Sequence, residues 1–211
     1  MAISLHYIDD LSVVPRIQEV YRLLGGREDD VSEKMRDMVE HAMLAGHHLA
    51  RPRALFGFFE RIENEPFLRN DEGPIILGIC TIGSALEEEV RELTRKNQLA
   101  LATAVDAVGS EMVESLADAL ETHICKEAAM QGLSSRPRFS PGYGDWPLDS
   151  GQKTIFSLLP AHRVGMSLSD TFLMNPLKSI SFAMKLSTSA PTEPRAPKCA
   201  LCDEGTCPYR R

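Results

Sequence analysis

Residues Arg138 to Pro147 read RFSPGYGDWP, and they divide a long helical region from a shorter helix and a strand-like segment. Pro141-Gly142 forces a turn, with the glycine free to take positive φ. Arg138 offers a fixed fork of donors, and Tyr143 presents an aromatic plate carrying a hydroxyl. Such a loop can clamp a carboxylate with its arginine, stack a ring on a base and turn backbone groups toward a small ligand. The same residues also suit a plain structural turn with a satisfied arginine and two packed rings. Both readings stand on the loop alone.

Upstream, residues 4–10 read as a short strand. Pro15 to Leu24 reads as a helix on the spacing of Val14, Ile17, Val20 and Leu24, and Gly25-Gly26 stops it. A second helix spans Ser32 to His48, with Ser32 as its cap and Met35, Met38, Val39 and Ala42 on its apolar side. Ala54 to Ile62 is strand-like. Pro74 to Ile82 (PIILGICTI) is apolar enough to be a strand buried on both faces. Ser84 with Glu87 predicts a capping box for a helix reaching Arg95. Leu99 to Met130 is a long helix with Val105, Val108, Met112, Leu116, Leu120 and Ile124 along one side. Within it, Gly109-Ser110 predicts a bend or a close approach by a neighbour.

Downstream, Ser150 to Leu159 predicts a helix, Val164 to Leu168 a strand, Asp170 to Met174 a turn or strand, and Ser179 to Leu186 a strand. Residues 1–186 therefore form one α+β domain, with helices to one side of a mostly antiparallel sheet. Residues 187–198 are a Pro/Ser-rich linker and 199–211 a cysteine-rich tail.

The 211 residues carry 43% apolar side chains, enough for one sizeable core. A formal net charge of -7 argues against nonspecific nucleic-acid binding, which needs clustered cations. No apolar run is long enough for a transmembrane helix, and the amino terminus lacks the pattern of a signal peptide. The expectation is a soluble, cytoplasmic protein with no membrane or nucleic-acid partner.

The run RFSPGYGDWP, followed by DSGQKTIFSLL and then RVGMSLSDTFLMNPLKSIS, resembles the activation domain of cobalamin-dependent methionine synthase. CTIGSALEEEVREL and LATAVDAVGSEMVESLADAL resemble that domain's middle region. The likeness implies a C-shaped α+β domain with a curved, mostly antiparallel sheet flanked by helices. It implies S-adenosylmethionine bound in a shallow groove along that sheet, and docking onto a protein that carries a corrinoid. Carried onto this sequence, Arg138 holds the ligand's carboxylate, Pro141 and Gly142 contact it through the backbone, and Tyr143 lies near the sulfonium or on the side that faces the cobalt.

The sequence departs from the family in several places. Trp146 stands where the family usually has cysteine, and Phe182-Ala183-Met184 replaces the aromatic residues after the strand's serine, leaving Phe182 as the replacement contact. An acidic residue for the ligand's amine has only Asp9 and Asp10 as candidates. No homocysteine-, folate- or corrinoid-binding module accompanies the domain. The resemblance therefore implies a stand-alone relative that serves a separate corrinoid protein or a split methionine synthase. Its electron would come from a flavodoxin-like or iron-sulfur donor, and a binding or sensing role without turnover is the alternative.

Of five cysteines, Cys199, Cys202 and Cys207 crowd the tail, a spacing that suits zinc or an iron-sulfur cluster; disordered or redox-active thiols are the other reading. Cys80 and Cys125 read as buried, inert thiols, and His41, His47 and His48 as solvated or capping side chains. Metal analysis and the visible spectrum of anaerobically purified protein test the tail. Stoichiometric zinc with no visible charge-transfer band would end the cluster reading, and absence of any metal would end both.

Overall fold

The computed structural model describes residues 2–26, 31–63 and 65–188. The domain opens with strand β1 (Ala2–Ile8), helix α1 (Ile17–Leu23), helix α2 (Glu33–Leu49) and strand β2 (Arg53–Phe59). Strand β3 (Ile75–Thr81), helix α3 (Ala85–Arg95) and helix α4 (Leu99–Met130) follow. Then come β4 (Ser134–Ser135), α5 (Leu148–Leu158), the short strands β5 (Ser167–Leu168) and β6 (Met174–Asn175), and β7 (Ser179–Ser187). The main sheet is five-stranded in the order β1-β2-β3-β7-β4, and every neighbouring pair is antiparallel. The α+β class with an antiparallel sheet is the one the sequence predicts. The linker beyond Thr188 and Cys199, Cys202 and Cys207 lie outside the described residues.

Strand alternation sorts the apolar residues into two cores. Phe56, Phe58, Ile76, Cys80, Phe182 and Met184 face α1 to α4. Leu55, Phe59, Ile75, Leu77, Ile79 and Ala183 face the opposite way, onto Trp146, Ile155, Leu159, Val164 and Met166. Helices on one side only is thus corrected, because α5 and the loop before it cover the second face. The cause is visible in β3, where all seven residues are buried and apolar side chains point both ways.

Two local expectations also change. Ser84 does not cap α3: its backbone is already helical, and its hydroxyl bonds Glu88 instead. Glu87 accepts from the backbone N–H of Lys178 at 3.0 Å, so the acid expected in the capping box ties α3 to the turn before β7. Val164–Leu168 is not one strand. A 3-10 turn, Ala161–Val164, ends at Gly165 in the left-handed region (φ 75°), and only Ser167–Leu168 then pairs, with β6. Ser32 does cap α2, accepting from the N–H of Met35. Gly109-Ser110 marks a close approach: the Lys178 chain lies against Gly109, while its ammonium bonds Ser110 and pairs with Asp106.

Gly78 and Phe182 set the spacing at the centre of the sheet. They are direct partners across β3 and β7, and the Phe182 ring lies over the glycine. A Cβ at residue 78 would stand 2.3 Å from Phe182 Cζ, inside any allowed contact. Gly78→Ala should therefore destabilise the fold by about 1–3 kcal/mol. Urea unfolding measures this, and a stability equal to wild type would show that the ring relaxes without cost.

Candidate functional site

The loop that opened the sequence reading is pinned to the sheet by one backbone pair. Phe139 N–H donates to the Ala183 carbonyl at 3.0 Å, and Ala183 N–H donates to the Phe139 carbonyl at 2.8 Å. Adjacent side chains must then leave on opposite faces. Phe139 packs in the second core, 5.1 Å from the Trp146 ring. Arg138 turns the other way, toward α4.

There its side chain is almost wholly buried. Nη2 donates to Asp118 at 2.7 Å and to Glu114 at 3.0 Å, and Nε lies 3.5 Å from Glu121. The backbone N–H of Arg138 donates to the same Glu121. Arg16 extends the network, with Nε 2.7 Å from Glu111 and Nη2 3.5 Å from Asp118. The hydrogen bond to Glu111 holds the Arg16 guanidinium above its ordinary pKa. Burial pushes the nearby Cys80 thiol up to about 12, against the opposing pull of Arg138. Cys80 is therefore a neutral thiol at physiological pH, as its strand position predicts.

The loop itself closes through three backbone bonds: Gly142 N–H to Trp146 O, Tyr143 N–H to Ser140 O, and Trp146 N–H to Tyr143 O. Gly142 has φ +87°, which a side chain resists. Its anchors are Pro141 and Trp146, both packed on Gly151 of α5, where an added Cβ would come within 2.8 Å of each. Trp146 is buried with its indole N–H unpartnered among the described residues, whereas Tyr143 stands out from the loop, 74% exposed.

Arg138, Pro141, Gly142 and Tyr143 thus belong to one pinned loop, with Arg138 facing inward to α4 and Tyr143 outward to solvent. Phe182 is fully buried on the helix-facing side of β7, where it packs on Gly78. Asp9 and Asp10 follow β1, and β2 and β3 lie between that strand and β7. The residues not singled out in the sequence are the acids of α4. Glu111, Glu114, Asp118 and Glu121 recur at helical spacing along one stripe, a signal hidden beside the stronger apolar stripe of the same helix. Among the described residues no group of histidine, cysteine or acidic side chains is arranged to hold a metal ion.

An antiparallel sheet with four helices on one face and a glycine-bearing arginine loop beside its fourth strand defines a class of domain. Residues 69–191, more than half of the chain, match the family model described as vitamin B12 dependent methionine synthase, activation domain. The chain belongs to that family. It is also similar to a crystal structure of the MetH reactivation domain bound to AdoHcy, with a TM-score of 0.67 and 14% identity, covering 90% of this chain and 80% of that one. At that identity the likeness concerns the fold. No curated protein matches. Among the described residues no helix is long and apolar enough to cross a membrane.

Replacing Arg138 by methionine would leave Glu121 and its neighbours around an apolar side chain, without the buried guanidinium they share. Loss of one partner from a buried ion pair costs about 3–5 kcal/mol. Arg138→Met should accordingly lower unfolding stability by that order in a urea titration. A loss below about 1 kcal/mol would place the charge network's worth in the range of a surface pair.

Proposed function

We propose that this chain binds S-adenosylmethionine at the Arg138–Pro147 loop and supports reductive remethylation of cob(II)alamin on a separate corrinoid protein or split methionine synthase. The observation that carries this reading is the family match across residues 69–191, which includes the whole loop and β7. Arg138 is the candidate for the ligand's carboxylate, because a guanidinium fork matches two carboxylate oxygens. Pro141 and Gly142 set the backbone against which the ligand lies. Tyr143 offers an exposed ring and hydroxyl at the loop's apex, suited to a base or a sulfonium. Phe182 supports β7 from the core side.

In this reading the protein's share of the reaction is position and electrostatics. The partner's corrinoid, reduced by one electron from a flavodoxin-like or iron-sulfur donor, supplies the nucleophile, and S-adenosylmethionine gives up its methyl and leaves as S-adenosylhomocysteine. The tail thiols Cys199, Cys202 and Cys207 are proposed to hold zinc or an iron-sulfur cluster, the latter fitting a protein served by low-potential electrons. Cytoplasmic location belongs to the same proposal.

A second reading has one observation in its favour. The guanidinium is already paired with Glu114, Asp118 and Glu121. A chain whose arginine stays so engaged would act as a corrinoid-protein binding partner or sensor without turnover.

Calorimetric titration with S-adenosylmethionine separates the two. Binding should be seen with wild type and should weaken about tenfold or more in Arg138→Lys, which keeps the charge but loses the fork. A folded Arg138→Lys protein with unchanged affinity would move the ligand elsewhere. Return of the methylated corrinoid spectrum with candidate partner proteins tests turnover, and binding without that return would select the second reading.

A further inference from the structure

The tail is one ligand short of a closed thiolate site. Cys199, Cys202 and Cys207 stand in a C-x2-C-x4-C spacing, and residues 189–211 contain no histidine and no further cysteine. Zinc or iron held by thiolates takes four ligands in a closed structural site. Two cysteines remain in the chain. Cys80 is fully buried in β3, and burial keeps its thiol protonated at physiological pH. Cys125 departs from the sequence expectation of burial. It is half-buried in the last two turns of α4, with Sγ 3.0 Å from the Ser135 hydroxyl oxygen.

The fold puts Cys125 beside the root of that tail. Ser135 pairs with Leu186 and Ser134 with Ser187, the last residues of β7, and the Ser134 hydroxyl donates to the Ser187 carbonyl at 3.3 Å. Strand spacing and rise then place the Cys125 thiol within about 15 Å of the point where the chain leaves the sheet. The ten residues 189–198 separate Thr188 from Cys199, and fully extended they reach about 36 Å. A tether about twice as long as the gap holds the tail thiols near Cys125 at an effective concentration on the order of millimolar. The Ser135 hydroxyl adds a donor to the sulfur, the kind of supporting hydrogen bond that metal ligands use.

We propose that the tail folds back on the C-terminal end of α4, where Cys125 joins Cys199, Cys202 and Cys207 in a four-thiolate site for zinc or an iron centre. Ser135 is the positioning residue, donating its O–H to the Cys125 sulfur. This assignment rests on the reading of the tail as a metal or cluster site and supplies its fourth ligand. Binding of the divalent ion converts the four thiols to thiolates, their protons pass to solvent, and no electron moves. Asp203 and Glu204 lie inside the motif, but three sulfurs select ions that favour a fourth soft donor over a carboxylate. The site fastens the chain beyond β7 to α4 and to β4, the strand that leads into the Arg138 loop.

The test uses the full chain, reduced and stripped of metal without oxygen, with zinc as the probe. Zinc affinity is read by competition with a chelator, and the alkylation rate of each thiol by mass spectrometry. One zinc per chain should bind and should slow alkylation of Cys125 and of the three tail cysteines together, by at least about tenfold. The full-length variant Cys199→Ser/Cys202→Ser/Cys207→Ser should lose that protection at Cys125. Cys125→Ser should bind zinc about a hundredfold more weakly, and Ser135→Ala about tenfold. If the purified protein carries iron, alkylation is compared before and after its removal, with the same protection expected. Metal bound while Cys125 is alkylated at its metal-free rate would overturn this proposal and leave the tail as a three-cysteine site. Wild type that neither binds zinc nor carries iron would remove the metal reading of the tail along with it. Protection in wild type decides the matter if Cys125→Ser does not fold.

Discussion

One backbone pair between Phe139 and Ala183 governs where everything near the loop goes. It adds residues 136–139 to the sheet beside β7, through Arg136 N–H to Lys185 O as well as the Phe139 bonds. Once Phe139 faces the second core, Arg138 has no choice but to face α4, because side chains alternate across a strand. The rest of the loop is then a short span between two fixed points, the sheet at Phe139 and α5 at Pro147. Slipping the pairing by one residue would put a guanidinium among Trp146 and Ile155 and a phenyl ring among three carboxylates.

The two cores divide the labour. The larger, under α1 to α4, contains the tight contacts that leave no room for rearrangement, such as Gly78 with Phe182 and Gly46 with Val108 and Met112. The smaller one holds the loop. Trp146 and Pro141 grip Gly151, and Ser181 on β7 donates to Gln152 on α5. The loop's frame is held by buried side chains, whereas its exposed apex at Tyr143 is not constrained by packing. Tyr143 is exposed at the loop's apex, while Arg138 and Phe182 are held by burial.

Much of this was legible in the chain of letters. The bounds of α4 follow from its apolar stripe, β3 follows from an apolar run rich in isoleucine, and β7 from alternation of apolar with small or polar residues. Local chemistry misled where a distant backbone made a better offer. Ser84 and Glu87 have the spacing of a capping box, yet Glu87 is taken by the N–H of Lys178, far away in sequence. Phe182 shares the apolar face of β7 with Ile180, Met184 and Leu186, but the sequence does not say that helices cover that face.

Sequence determined the elements, the α+β class and the loop with its turn, since these depend on neighbours within a few residues and on apolar periodicity. It also determined the family, through an ordered set of segments that composition alone would not single out. Only the folded chain decided what Arg138 meets. A guanidinium's partners are chosen by which helix lies over its strand, and the acids at 114, 118 and 121 became its neighbours because α4 crosses β7 there. Tertiary structure likewise decided that Trp146 anchors the loop and Tyr143 does not, since burial depends on Gly151 leaving space for one ring and nothing covering the other.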